Sequence, residues 1–439
     1  MTLSSEQVSA MAPDPASLAA GKKLAAAKHW NVLGRNDDAL WGLCQGSAVY
    51  QVKIDRADMG YHCSCPSRKF PCKHSLGLLL IAAGDEAALA AGEPPDWVRD
   101  WLAKRQARSE KKAEKQAAAV AKPVDEKAQA KRQAERDARV REGLERIELW
   151  MCDRVREGFA GLERQPPTFF AEQAKRLVDA QAPGIAGWVT RWGELVGAAS
   201  DWPERLLAEF GRLELLIHAY RRLDELDAAL ASDVRQAIGW NIPQEEVDRD
   251  GERIEDRWVC IGQRTEDVER LRVQRSWLVG RATGRTALVA QFSVAAQPYA
   301  EAIAPGSEQQ ATLAYYPGAA LQRAKFIARR DVAELGEPLP GRVSLDGLLD
   351  DAAERFGRQP WLPLLGYVVA AATFVPPAGS TAERWHLRDA AGQALPLARG
   401  DYWHALALSG GAPCDVAVEW NGRELQPLGM TVNGSYRTL

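Results

Sequence analysis

The 439-residue sequence predicts an α+β protein built from several domains. Cysteine and histidine cluster between positions 61 and 77, next to a predicted hairpin, which indicates a small ββα-like module. From 144 to 223, apolar residues recur at three- and four-residue spacing, as in helices of a bundle. After position 256 the spacing falls towards two, which predicts a mainly antiparallel β domain. The predicted parts are the module (1–93), a basic linker (94–123), the helical bundle (124–250) and the β domain (251–439).

Net charge argues against a protein that binds polyanions over its whole surface. Lys and Arg number 56 and Asp and Glu number 59, which gives −3. The charge is uneven, because 17 basic and 13 acidic residues precede position 123 and leave +4 there and −7 in the remainder. This asymmetry is compatible with a nucleic-acid contact in the N-terminal part, although it does not require one.

The N-terminus has neither the basic nor the apolar segment of a secretory signal, and no apolar run approaches the roughly 20 residues that span a bilayer. We therefore expect a cytoplasmic protein. In that compartment unclustered cysteines are buried thiols rather than disulfides. This expectation covers Cys44, Cys152, Cys260 and Cys414.

The cysteine and histidine cluster has the spacing Cys63-x-Cys65, six residues, then Cys72-x-His74. Alternate residues of a strand point to one side, so Cys63 and Cys65 can face one ion. Cys72 and His74 stand at the predicted start of a helix. Thiolates and imidazole are the ligands that zinc prefers, and four of them leave no open coordination position. The pattern thus predicts a structural Zn²⁺ site.

The same four positions resemble the SWIM zinc finger, whose signature is Cys-x-Cys, a variable gap and Cys-x-His. The flanking sequences Leu40-Trp41-Gly42 and Cys65-Pro66-Ser67 are also similar to those of bacterial SWIM proteins. The resemblance covers residues 10 to 90. Beyond them, only the length and layout are similar to long bacterial members. It implies a structural Zn²⁺ ion and a module that binds protein or nucleic acid.

The resemblance also implies a type of partner. Many bacterial proteins of this kind are encoded beside a MoxR-type AAA+ ATPase and a von Willebrand A-domain protein. It therefore implies an adaptor role in such a machine.

Two other residues near the cluster are weaker ligand candidates. His62 adjoins Cys63 but interrupts the alternation of the strand. Cys44 lies on the adjacent predicted hairpin and is more typical of a buried apolar residue.

Basic residues surround the cluster at Arg68, Lys69 and Lys73, next to Phe70. They are candidates for contacts with nucleic acid or a protein partner. The favoured alternative is that they offset the thiolate charge and stay solvated. The linker segment 104–122 has seven basic and two acidic residues, which favours a solvated linker over a nucleic-acid arm.

Elsewhere we find no arrangement typical of catalysis. Residues 280–286 resemble a phosphate loop, but the spacing is short and a strand follows, so a hairpin turn is favoured. His386 and His404 are predicted on separate short strands, and His218 in the apolar face of a helix as a core residue. Trp188 and Trp192 are predicted in the core of the bundle.

We therefore predict a zinc-binding interaction protein that is not an enzyme. Its SWIM module would recognise a protein or a nucleic acid. The alternative function is DNA binding through the basic residues around the finger and in the linker.

Overall fold

The computed structural model confirms the α+β class. It describes residues 4–57, 59–67, 69–107, 126–166, 168–268, 271–294, 299–379 and 384–439. Residues 108–123 of the predicted linker, and the two residues that follow it, lie outside the described residues.

The N-terminal part is a small sheet covered by helices. Its helices are α1 (Ser5–Ala10), α2 (Pro15–Leu24), α3 (Lys73–Gly84) and α4 (96–107). Its strands are β1 (Trp30–Arg35), β2 (Ala39–Gln45), β3 (Val49–Asp55), β4 (Tyr61–Cys63) and β5 (Ala90–Ala91), in the spatial order β4-β3-β2-β1-β5. The predicted hairpin is β2–β3, and Asp14 caps α2 by accepting from the amide of Ser17 at 2.7 Å.

The core of this part lies between the sheet and α3. Val52 and Ile54, on one face of β3, are fully buried, as are Leu76 and Leu78 of α3. Helix α4 returns to the outer face, where the ammonium of Lys53 lies 5.4 Å and 5.9 Å from the ring centroids of Trp97 and Trp101. The strand alternation therefore sets which residues face α3 and which face α4.

The helical bundle follows. Its helices are α5 (Glu126–Glu157), α6 (Thr168–Asp179), α7 (Pro183–Leu195), α8 (Trp202–Arg221), α9 (Ala228–Ile238) and α10 (Gln244–Asp250). Trp192 is 1% exposed and its ring lies 4.7 Å from that of Phe210, which confirms its core position. Trp188 is half-buried at the edge of the same core.

The core position predicted for His218 is wrong. Its side chain is exposed and lies 3.0 Å from Glu214 Oε1, one turn back on α8. The buried face of α8 is formed by Leu213, Ile217 and Tyr220, and a residue next to Ile217 is rotated by about 100° from it.

In the last part, the described residues form two mainly antiparallel sheets. Strands β6 (Arg253–Val268), β7 (Leu271–Gly280), β8 (Thr286–Val294), β9 (Ser307–Tyr315) and β10 (Ala324–Glu334) form the first, in the order β10-β9-β6-β7-β8. The second contains β11 (Arg342–Val343), β12 (Leu365–Val375), β13 (His386–Arg388), β14 (Ala394–Pro396), β15 (Cys414–Trp420), β16 (Leu425–Val432) and β17 (Ser435–Thr438), with α11 (Leu345–Arg358) and α12 (Trp403–Ser409) beside it. Its order is β14-β13-β12-β15-β16-β17, with β11 added in parallel to β12.

The two sheets pack face to face. Trp277 of the first sheet is fully buried in the same cluster as Val368 and Ala417 of the second. Its indole Nε1 donates to Glu419 Oε1 at 2.8 Å. The predicted, mainly antiparallel β domain is therefore a sandwich of two packed sheets.

The turn predicted at 280–286 is the β7–β8 hairpin, closed by the amide of Gly280 to the carbonyl of Arg285 at 3.0 Å. The strand predicted for His404 is wrong, because this residue lies in α12. That helix begins where the Asp401 carboxylate accepts from the amide of Trp403, and it ends at Gly410 with φ 60°. In so short an apolar segment the end caps, and not the periodicity, decide between helix and strand.

Hydrogen bonds fix the bundle to the β region. The guanidinium of Arg212 donates to the carbonyls of Pro360 and Leu362, both at 3.0 Å. On α9, Asp233 accepts from the amide of Ala319 at 2.6 Å. Asp233 is 8% exposed, and burial raises the pKa of its carboxyl to about 6.

This pKa makes the stability of the protein depend on pH. In the unfolded chain the carboxyl has a pKa near 3.8. As the pH rises from about 4 to 6, the unfolded state loses the proton first, so the free energy of unfolding falls, by about 3 kcal/mol once the pH exceeds 6. We expect Asp233→Asn to abolish this loss. The free energy of unfolding of the variant, relative to that of the wild type, should therefore be about 2–3 kcal/mol higher at pH 7 than at pH 4.

Urea unfolding followed by the helical circular dichroism signal at both pH values measures the difference. Asp179→Asn, at an exposed position of α6, is the matched control. A stability difference between Asp233→Asn and the wild type that is the same at both pH values would contradict the assignment.

Candidate metal centre

The four predicted ligands come from one strand end and one helix start. Cys63 ends β4, where it pairs with Val52 of β3, and Cys65 follows two residues later. Cys72 is the N-cap of α3 and His74 stands in the first turn of that helix. The hairpin register and the helix cap therefore bring the two halves of the motif together.

The ligand atoms form a compact group. All four lie within 4.8 Å of one another. The Nδ1 atom of His74 lies 3.7 Å from Cys63 Sγ and 4.0 Å from Cys72 Sγ. Zinc bonds of about 2.3 Å to sulfur and 2.0 Å to nitrogen require ligand separations of roughly 3.5–3.8 Å in a tetrahedron. The arrangement fits Zn²⁺ with small adjustments and leaves no position for water or substrate.

Neighbouring groups orient the ligands. The ring of Tyr50 stacks on that of His74, with centroids 4.7 Å apart and planes at 30°. Cys72 Sγ accepts from the amide of Ser75 at 3.5 Å. The positive end of the α3 dipole therefore lies at a sulfur that is negative in the metal complex.

The thiols also affect one another. A hydrogen bond between the sulfurs of Cys63 and Cys72 lowers the pKa of Cys72 and raises that of Cys63. Burial raises the pKa of Cys65. Zinc must therefore displace protons from Cys63 and Cys65 when it binds. The affinity of the site for zinc accordingly decreases as the pH is lowered.

The weaker candidates are not part of this group. His62 is exposed, on the opposite side of β4 from Cys63. Cys44 is fully buried in the apolar core, where burial raises the pKa of its thiol. It is therefore a core residue, as its position on the hairpin suggests.

The predicted contact residues have different surroundings. Lys69 Nζ lies 2.8 Å from Asp14 Oδ2, and this hydrogen bond lowers the pKa of Asp14 to about 2. Lys73 is exposed at the start of α3. Arg68 lies outside the described residues.

Sequence reasoning missed a groove of about 430 Å³ beside the metal centre. Small residues of α2 and of the β2–β3 turn form one wall, and the metal-binding loop forms the other. Nothing local marks it, because its walls are far apart in the sequence. It is lined by Ala16, Ser17, Ala20, Gly46, Ser47, Tyr50, Cys65, Pro66, Ser67, Lys69, Lys73 and His74.

A second group of potential ligands, also missed, joins α5 to α8. Glu148, Glu214 and His218 bring their ligand atoms within 4.8 Å of one another. Arg221 forms a two-pronged ion pair with Glu148. Because this guanidinium already supplies the positive charge, we interpret the group as an ion-pair network.

Removal of one ligand tests the metal centre. We expect Cys72→Ser to reduce bound zinc from one equivalent to nearly none and to expose residues 60–84 to protease, because one oxygen replaces a sulfur that also caps α3. Plasma mass spectrometry and limited proteolysis measure the two effects.

Cys44→Ala is the control, since it changes a buried thiol of the same module and should retain the metal. Retention of a full equivalent by Cys72→Ser, or its loss from Cys44→Ala, would contradict the ligand set.

Comparison with protein families gives two matches. Residues 50–83 match the SWIM zinc finger, and residues 135–238 match the SWIM-associated four-helix bundle domain. Comparison with curated proteins and with solved structures gave no match. Within the described residues, the helices are too short or too polar for any of them to cross a membrane. The two matches support a SWIM family protein, in which Cys63, Cys65, Cys72 and His74 form a structural Zn²⁺ site.

Proposed function

We propose that this is a cytoplasmic, non-enzymatic interaction protein whose SWIM module binds a partner protein in the groove beside the zinc site. The observation that carries the proposal is that Cys65 and His74 are both zinc ligands and lining residues of that groove. The metal therefore sets the shape of the binding surface.

The groove depends on zinc on two sides. His74 belongs to α3, which packs against α2, and Tyr50 of β3 stacks on the His74 ring. Cys65 holds the loop that forms the opposite wall. Loss of the metal would release the loop from α3, so partner binding should require zinc.

The lining of the groove suits an extended polypeptide. Ala16, Ala20 and Gly46 leave room for a main chain close to the surface. The hydroxyls of Ser17 and Ser67 can hydrogen-bond to peptide groups. The exposed ammonium of Lys73 then favours an acidic side chain in the partner.

The alternative of DNA binding has less support from these contacts. Binding to a phosphate backbone uses several cations together. Among the described residues that line the groove, Lys69 is already paired with Asp14, and Lys73 is the cation for which no ion pair within 4 Å is found. An acidic peptide needs a single cation at this place.

The partner candidates are those that the family resemblance supplies, namely a MoxR-type AAA+ ATPase and a von Willebrand A-domain protein. We propose an adaptor role towards one of them. A purified protein of each class can be tested for binding.

We expect Lys73→Glu to weaken partner binding at least tenfold, because it places a negative charge opposite an acidic segment. Titration of each purified candidate against the tagged full-length protein, by biolayer interferometry, measures the change. Zinc content should remain at one equivalent.

Lys22→Glu is the matched control, since it reverses an exposed charge on α2 away from the groove. A parallel affinity purification with and without nuclease separates the two functions. Association that nuclease abolishes would support DNA binding. Equal affinity of Lys73→Glu and the wild type for the partner would contradict binding in the groove.

A further inference from the structure

A cavity of about 790 Å³ lies between the helical bundle and the β region, far in sequence from the zinc module. Helices α7 and α9 form one side, and strands β6, β7, β15 and β16 the other. The segments 316–323 and 359–364 complete it. Cavities of this size at the junction of two domains are the usual place for ligands.

Buried polar atoms around this cavity lack partners. Gln322 and Gln359 are each 8% exposed, and the Oε1 atom of each finds no hydrogen-bond donor among the described residues. Trp361 is 5% exposed, and its Nε1 finds no acceptor in the same part of the chain. Buried polar groups are nearly always paired, so two free acceptors and one free donor point to a missing polar molecule.

Two charged groups of the lining also form no ion pair within 4 Å among the described residues. Asp233 is 8% exposed and accepts one backbone hydrogen bond, with no cation within 4 Å among the described residues. Arg191 of α7 is accessible in the cavity, and the described residues include no carboxylate within 4 Å of it. One wall therefore offers both an unpaired negative and an unpaired positive charge.

The other charged lining residues have partners. The guanidinium carbon of Arg323 lies 4.2 Å from the centroid of the Tyr316 ring, and the remaining charges form ion pairs. Arg275 bridges Glu266 at 2.9 Å and Glu419 at 3.1 Å, and Arg264 also pairs with Glu266. Glu424 pairs with Arg384 outside the cavity. The contrast singles out Asp233 and Arg191.

We propose that this cavity binds a short peptide with free ends. The peptide ammonium would pair with Asp233 and the terminal carboxylate with Arg191. Peptide N–H groups would donate to Gln322 and Gln359, and a peptide carbonyl would accept from Trp361. Only a ligand that has charges of both signs, hydrogen-bond donors and an acceptor satisfies all five of these side chains.

Other ligands fit less well. A single amino acid has both charges but is small for 790 Å³. A nucleotide would place further negative charge near Asp233, which has no cation to offset it. The half-buried indole of Trp188 and the leucines of the lining can contact apolar side chains of the peptide.

A pool of random tripeptides with free ends tests the proposal. The full-length, zinc-loaded protein is incubated with the pool and passed through a desalting column, and retained peptides are quantified by mass spectrometry. We expect the wild type to retain at least tenfold more than the double variant Arg191→Gln, Asp233→Asn. Both changes remove a charge and leave a polar side chain, and the asparagine that replaces Asp233 can still accept from the amide of Ala319.

The matched control is the double variant Arg388→Gln, Asp179→Asn, with the same changes at exposed positions outside the cavity. It should retain peptides as the wild type does. Circular dichroism and zinc content check that all variants fold.

A second pool, acetylated and amidated at its ends, tests the role of the charges. Retention of blocked peptides should be at least tenfold lower than that of free ones. Equal retention of the two pools, or no difference between the wild type and the cavity variant, would overturn the proposal.

Discussion

Convergence of three sulfurs and one imidazole is the constraint on which the N-terminal module depends. Strand β4 has three residues, of which Tyr61 and Cys63 pack against the edge of the core, so hydrogen bonds to β3 alone would hold it weakly. The zinc ion joins this strand to α3, whose apolar residues are buried against the sheet. The metal thus adds to the few apolar contacts that so short a strand makes.

The sequence allowed the metal centre to be predicted because every step was local. Strand alternation predicted that Cys63 and Cys65 face one ion. Cys65 does join Cys63 in the ligand group, although it lies in a bend after the end of β4. A helix start placed Cys72 and His74 together. The groove beside it could not be predicted in this way, because its walls come from segments that the fold brings together. Likewise, the apolar residues around His218 identified a helix correctly but did not fix which way that histidine points.

The polar cavity is a stronger example of the same limit. Gln322 and Gln359 lie in irregular segments, where a glutamine is unremarkable. What distinguishes them is burial without a partner, and burial here results from the contact of the bundle with the two sheets. Periodicity gives the members of each core, but it cannot show where two cores leave a space between them.

The segments that carry these groups are held in place from the bundle side. Arg212 binds two carbonyls of the segment that contains Trp361, and Gln236 donates to the carbonyl of Pro317 at 2.8 Å. A site whose walls are already fixed loses little conformational freedom when a ligand enters. The unpaired polar atoms therefore cannot easily relax towards other partners.

The zinc module is attached to the same β region. Gln7 of α1, which is 3% exposed, donates to the carbonyl of Gly306 just before β9, and Glu6 pairs with Arg437 of β17. The apolar core around α3 also includes Ala304, which precedes β9, and Val332 of β10. The β region thus supports the zinc module through α1 and one wall of the cavity through its strands. A partner bound at the module and a ligand bound in the cavity would both contact parts of the protein that pack against the first sheet. That sheet is therefore the common support of the two surfaces.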